Sequence, residues 1–515
     1  ANVVYQPSTA GAAVGDDVVI PLESKFTWSP AAPWLHRLEI VLLAADGTEL
    51  DKVQTYAGLR KIEVAKAADG FTRLLLNGEP HFQYGPLDQG WWPDGLYTAP
   101  TEEAMLYDIE ITKALGFNMI RKHVKVEPAA WYHACDRLGL LVWQDLPNGD
   151  RHIRAADPDI ERGAQSARQY EQELARMIEA FGHFPSIIMW VPFNEGWGQF
   201  DTARITDFVR KLDRTRLVNS ASGWTDRGTG DVHDIHTYPG PSAPEPELER
   251  AGVLGEFGGL GLPLAGHTWQ EEKNWGYKSF TSKEDLTAAY LQLVARLRPL
   301  IDSHGLSAAV YTQTTDVEIE VNGLLTYDRA VLKIPHETLV QAHATLYGPP
   351  RKTVVLAACA AHDAKTVWRY TTEKPGDSWA NSEFDVASWK EGAGGFGSED
   401  TPGARIGTPW TSSDIWLRRK LSLPASAVLA SPHLLVHHDE DAEVFLNGRL
   451  VARLEGYVSD YILVPLPNGI DLGGEREHTL AIHCRQTRGG QFIDCGLVDL
   501  VPLDSASASG AAPRE

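Results

Sequence analysis

Between residues 71 and 348 the sequence alternates short, continuously apolar runs with longer amphipathic stretches, and this alternation restricts the fold more than any other feature. The runs fall near 82–85, 118–121, 140–145, 186–194, 217–220, 232–236, 253–256 and 308–313. Helices are expected between them at 101–115, 128–138, 160–181, 202–212 and 283–303. Strands that are apolar along their whole length, as IIMWV is, are buried on both faces, as in a parallel sheet covered by helices. Eight such strands alternating with helices give an α/β fold, a (β/α)8 TIM barrel. Thr101, followed by Glu102 and Glu103, supplies an N-cap where the first helix should begin.

The flanks have a different rhythm. Residues 1–67 contain alternating stretches such as HRLEIVLLAADGTELDKVQTY, with a Gly turn between two strands, and read as a small antiparallel unit short of the strands a complete sandwich needs. Residues 364–503 return to short β runs separated by Gly, Asn and Asp, as in a β-sandwich or jelly roll. The division expected is therefore 1–67, a barrel over 68–350, the sandwich at 364–503 and a disordered tail at 504–515.

Formal charge is −22, from 69 acids against 47 bases, which disfavours nucleic acid and other polyanions and leaves a neutral sugar acceptable. No apolar run is long enough for a membrane span. The four cysteines show no CxxC and no zinc spacing, and no metal or other cofactor is expected. Cys484 and Cys495 flank the turn Arg488-Gly489-Gly490-Gln491, so a regular hairpin would set them face to face, bonded or, as expected here, as packed reduced thiols. The chain opens on Ala without a signal peptide and reads as a processed protein or a piece of one. Its compartment is left open between secretion, the periplasm and the cytoplasm, as is its quaternary state, a homo-oligomer included.

Reactive groups of a barrel sit at the carboxyl ends of its strands. There the fourth run continues into PFNEGWG and the seventh ends VLGEFGG, which places Asn194, Glu195 and Glu256 at the mouth. One isolated strand-end Glu is most simply a loop-anchoring ion pair. Two on separate strands of one mouth are what glycoside hydrolysis uses: one acid to protonate the leaving oxygen, one carboxylate to attack or to activate water. Their spacing, which decides between retention and inversion, is not legible in a sequence. Further polar strand ends are Asp88, Asp145 and His236, each suited either to a sugar hydroxyl or to holding a loop. Trp91, Trp92, Trp269 and Trp275 lie in loops after the first and seventh strands, where they wall a subsite or pin their own loops.

At these residues the chain resembles glycoside hydrolase family 2, the family of β-galactosidases, β-glucuronidases and β-mannosidases. LLLNGEPHFQYG, DIEITKALGFNMIR, WYHACDRLGLLVWQD, FGHFPSIIMWVPFNE and VLGEFGG carry the likeness through the barrel. FTWSPAAPWLHRLEIVL with AGLRKIEV resembles the end of the family's immunoglobulin-like β-sandwich. FDVASW, DIWLRRKLSLP and DEDAEVFLNGRLVARLEG resemble its jelly-roll, sugar-binding-like module, here placed after the barrel with Trp379, Trp410 and Trp416 expected as packing. The resemblance implies Glu195 as acid/base, Glu256 as nucleophile, Asn194 on the sugar 2-hydroxyl, and Arg121 and Tyr238 beside the nucleophile. It implies a retaining exo-glycosidase, β-galactosidase-like, acting on an oligosaccharide or glycoside. A β-glucuronidase or galacturonidase, a β-mannosidase and an α-L-arabinosidase are the alternatives within the family, and a non-catalytic carbohydrate-binding relic is the alternative outside it. Departures bear on the sugar: Val124 stands where galactosidases have a His, Asp145 where they have Glu, and TQTTDVEIEVNG lacks their Trp-Asp pattern. The glucuronidase Asn-x-Lys-Gly clamp is also not evident.

Overall fold

The computed structural model describes residues 10–502 apart from 21–25, 349–350, 364–365, 400, 402–403, 424–428, 459–460, 468, 473–476 and 487; the expected tail at 504–515 lies outside the described residues. Eight parallel strands surround one axis: β1 (Gln83–Asp88), β2 (Met119–Lys122), β3 (Leu141–Asp145), β4 (Ile187–Val191), β5 (Leu217–Val218), β6 (Val232–Thr237), β7 (Ala251–Gly258) and β8 (Ala308–Thr312). Ladder pairing runs from β5 through β4, β3, β2, β1, β8 and β7 to β6. The last join, between β5 and β6, is made by the Asp231 N–H to the Val218 carbonyl at 2.8 Å and the Val218 N–H to the Asp231 carboxylate at 2.7 Å. This is the expected barrel.

Its outer helices are α1 (Glu102–Ala114), α2 (Ala129–Leu138), α3 (Ala164–Phe181), α4 (Thr202–Leu212), α5 (Lys283–His304) and the unforeseen α6 (His336–Ala344). Thr101 caps α1 as expected, its hydroxyl accepting from the Ala104 N–H at 3.1 Å. The third helix starts at Ala164, later than expected, because the Ile160 N–H is bonded to the Gln199 carbonyl in the loop after β4.

Strand alternation sorts the side chains. Residues facing the axis run from apolar to polar toward the carboxyl ends: Met119 then Arg121, Leu141 and Trp143 then Asp145, Val232 then Asp234 and His236, Ala308 and Val310 then Thr312. The lower, apolar part packs with Trp28, Ile62, Leu74 and Leu76, which close the amino-terminal end. The opposite faces, with Ile120, Val142 and Trp190 among them, pack against α1 to α4. Period two sorts the residues of each strand between the axis and the helices.

The described part of the amino-terminal region is an antiparallel pair, His36–Leu43 with Glu49–Ala57, followed by Ile62–Lys66 pairing with Thr72–Leu76. The carboxyl-terminal region is a sandwich. One sheet is built on Phe492–Pro502, flanked by Pro432–Asp439 and Arg351–Ala357; the other on Glu477–Arg485, flanked by Asp414–Ser422 and Asp441–Leu446. One core, including Trp368, Trp410, Ile415 and Leu497, fills the space between them. Cys484 and Cys495 correct the hairpin expectation: they belong to different sheets, and both thiols are free and buried in this shared core.

Candidate active site

Two backbone irregularities aim the paired carboxylates. Along β7 the register against β6 slips at Gly255, so that Ile235 faces Leu254 while His236 faces Glu256. Such a bulge re-aims the next side chain. Only glycine fits there: its N–H donates to Asp234 at 2.6 Å, and a Cβ would stand 2.3 Å from that carboxylate. Glu195, past the end of β4, has φ +52, a conformation that costs a non-glycine residue energy and persists where the surroundings impose it. Its N–H donates to the Ser222 carbonyl at 2.9 Å. Gly196 follows at φ +78, and a Cβ on it would meet the Ile153 carbonyl at 2.4 Å.

Glu256 is buried and braced on both oxygens. Arg121 Nη1 approaches Oε1 at 3.3 Å, and the Tyr238 hydroxyl donates to Oε2 at 2.5 Å. Arg121 also forks onto both oxygens of Asp145 at 3.1 and 2.9 Å and donates to Asn194 Oδ1 at 2.8 Å, which orients the Asn194 amide. Burial raises the Glu256 pKa, to about 7, against the opposing pull of His236, Arg121 and Tyr238 and with the help of Glu195. Burial and the Glu256 charge push the Tyr238 phenol well above its ordinary value, so it stays a donor. His123 fills the place next to Val124: its Nε2 lies 3.2 Å from Asn194 Nδ2 and 3.6 Å from Glu256. Burial, then Arg121, keeps His123 neutral.

His236 links the carboxylates. Its Nδ1 is 2.8 Å from Glu195 Oε1 and 3.6 Å from Glu256 Oε2. On the other side Ser222 donates to Asp234 at 2.6 Å, which leaves the serine oxygen to accept from His236 Nε2 at 2.7 Å. The chain Asp234–Ser222–His236 therefore fixes the Nε2–H and turns Nδ1 toward both glutamates. Burial disfavours the imidazolium, but Glu256, Glu195 and Asp234 outweigh it and raise the His236 pKa. One atom each of Glu195, His236 and Glu256 lie within 4.8 Å of one another, a set that could also hold a divalent cation.

Aromatic rings wall one side. Tyr238 stacks on Tyr277 with centroids 3.6 Å apart, and Trp275 stands edge-on to Tyr277 at 5.4 Å. Trp224, partly exposed, stands edge-on to His236 at 5.9 Å. Asp88 is placed differently from the rest: its oxygens are taken by Lys122 at 2.7 Å and the Gly90 N–H at 2.9 Å in a buried network. Asp145 is likewise fully buried and turned to Arg121. Sequence reasoning missed Tyr277, Trp224, Ser222 and Asp234. Asp234 carried a signal, an acid at alternate spacing from His236; Tyr277 and Trp224 sit in irregular loops and carried none.

A parallel barrel with two glutamates facing each other across its mouth defines a class to which the chain can be compared. Residues 98–239 match the family model described as glycosyl hydrolases family 2, TIM barrel domain, a span that includes Glu195 and ends before Glu256. The chain is 29% identical over 223 residues to a β-galactosidase of Lactococcus lactis, covering 43% of this chain and 22% of that one. It is 26% identical over 438 residues to a β-galactosidase of Enterobacter cloacae, covering 76% and 40%. The chain thus spans well under half the length of these relatives. Among solved structures, a β-D-glucuronidase from Dictyoglomus thermophilum superposes with a TM-score of 0.52 at 18% identity, over 64% of this chain and 61% of that one. A β-galacturonidase from Eisenbergiella tayi, bound to galacturonate, gives 0.50 at 20% over 65% and 62%. Over these residues the barrel is similar to the TIM barrel domain of glycoside hydrolase family 2.

Proposed function

We propose that the chain is a retaining exo-β-glycosidase with Glu195 as acid/base and Glu256 as nucleophile, acting on a terminal β-galactoside or a closely related neutral sugar. The observation that carries this is the approach of carboxylate oxygens of Glu195 and Glu256 to within 4.8 Å. Retaining enzymes hold their carboxyl groups about 5–5.5 Å apart, whereas inverting ones need about 6.5–9.5 Å to seat a water between them. In the first step Glu195 gives its proton to the glycosidic oxygen while Glu256 attacks the anomeric carbon from the opposite face, forming a glycosyl ester and releasing the aglycone. In the second, Glu195 takes a proton from water, whose oxygen displaces Glu256. Arg121 and Tyr238 favour the ionised nucleophile, and Asn194, oriented by Arg121, is placed for the sugar 2-hydroxyl. His236, with Nδ1 2.8 Å from Glu195 and 3.6 Å from Glu256, places a positive charge beside both glutamates. The galactoside preference rests on the β-galactosidases among the relatives.

The test is trapping. An activated 2-fluoro glycoside should leave a covalent sugar on Glu256, seen by peptide mass spectrometry. Glu195→Ala should lose about 10²–10⁴-fold on substrates with poor leaving groups, keep much of its rate on activated ones, and respond to added azide. Glu195→Ala cleaving unactivated substrates at the normal rate would refute the assignment, and a chain that neither labels nor hydrolyses any aryl glycoside would be a binding relic.

A further inference from the structure

The loop after β8 brings a third carboxylate to the mouth. Glu320 accepts from Asn322 Nδ2 at 2.8 Å; Asn322 Oδ1 accepts from Gln313 Nε2 at 2.9 Å; Gln313 Oε1 accepts from Gln89 at 2.9 Å, beside β1. The loop is held firmly. Lys333 bonds Asp316 at 2.6 Å and the Val321 carbonyl at 2.9 Å, and the Trp275 main chain bonds Ile319 and Val321 on either side of Glu320, both at 2.9 Å. Glu320 thus stands next to the Trp275–Tyr277–Tyr238 wall, half-buried. It shares a field with the reacting pair. Burial raises its pKa, Asn322 opposes this, and the charges of Asp316 and Glu195 add to it. The Tyr277 phenol, raised chiefly by burial, feels Glu256, Glu320 and Glu195 together.

The buried cations of this part of the barrel are engaged. Arg121 holds Asp145, Glu256 and Asn194; Lys122 holds Asp88 and Glu127; Lys125 holds Glu127 and the Gly90 carbonyl. Lys333 is spent on Asp316. A sugar carboxylate entering here would meet Glu320, Glu195 and Glu256, while the buried cations Arg121, Lys122, Lys125 and Lys333 are already held by acids. Sugar hydroxyls, by contrast, donate well to a carboxylate.

We propose that Glu320 is a specificity-determining residue of the sugar pocket, accepting hydroxyls of a neutral hexoside and excluding hexuronides. This rests on the glycosidase reading above and goes beyond it by setting the charge of the sugar. Like charges in a partly buried site repel strongly enough to cost a factor of about 100 in kcat/KM.

The experiment compares an aryl β-galactoside with the matching aryl β-galacturonide on the wild type and on Glu320→Gln. The wild type should favour the galactoside by about 100-fold or more, and Glu320→Gln should narrow that ratio at least about tenfold. If Glu320 merely braces Asn322, the variant slows both substrates alike and the ratio stands, which overturns the proposal; so does a wild type that prefers the galacturonide. Calorimetric titration with free galactose and free galacturonate reads the same preference without turnover. A chain that hydrolyses nothing yet binds galactose over galacturonate, with the gap narrowed in Glu320→Gln, would sink the catalytic reading and keep this one. Binding of neither sugar, or of galacturonate first, would sink this one.

Discussion

Arg121 and Lys122 are consecutive on β2, point to opposite faces of the barrel wall, and are both fully buried among acids. The Lys122 side is balanced: Asp88 and Glu127 are matched by Lys122 and Lys125, with the Lys122 ammonium 4.7 Å from the centre of the Trp131 ring. The Arg121 side is not. One permanent cation faces Asp145 and Glu256, with Glu195 and Asp234 beyond, and the remaining positive charge must come from His236. A buried ion network is therefore no mark of function by itself. The mark is the unbalanced one, where a proton has to be shared and the pKa of Glu256 is driven to about 7.

Three experiments would break or sharpen this contrast. The largest effect belongs to Glu256→Ala, which should cut turnover of every glycoside by about 10⁴-fold or more, the scale of losing a covalent nucleophile; a residual rate near wild type would remove the distinction between the two networks. Next is Lys122→Met. It strands Asp88 and Glu127 and should cost about 3–5 kcal/mol of stability, read by denaturant unfolding, with kcat/KM of the folded protein unchanged. Loss of activity without loss of stability would make the Lys122 side part of the site. Tyr238→Phe should be mildest, about 10–100-fold in kcat, the worth of a hydrogen bond to a charged group. It also sets a direction in pH. As the proposed nucleophile, Glu256 must be ionised; its pKa is raised, and so activity should fall as pH drops through about 7. Tyr238 opposes that raised value, so its removal should move the acid limb of the kcat/KM profile to higher pH; a limb that stays fixed would leave Tyr238 with a packing role only.

Barrel strands such as IIMWV were legible because they are buried on both faces and so read as apolar runs, whereas β6, VHDIHT, is only partly buried. Glu195 and Glu256 were legible because a carboxylate directly after such a run has no packing reason to be there. The short helix α6 was not, since its nine residues, HETLVQAHA, show little of an apolar stripe. Asp88 and Asp145 illustrate the limit at single residues. Both end strands, as their positions in the sequence imply, but whether an acid meets substrate or a neighbouring cation depends on which side chains the next strand brings alongside.

By itself, then, the sequence determined the barrel, its order of strands, and the pair of glutamates at its mouth, because hydrophobic periodicity and strand ends are local properties. The tertiary structure decided the rest. The slip at Gly255, the left-handed turn at Glu195, the relay from Asp234 through Ser222 to His236, and the arrival of Tyr277 and Glu320 from distant loops depend on distances between segments far apart in the chain. Those distances fix which charges must share a proton and which are already neutralised.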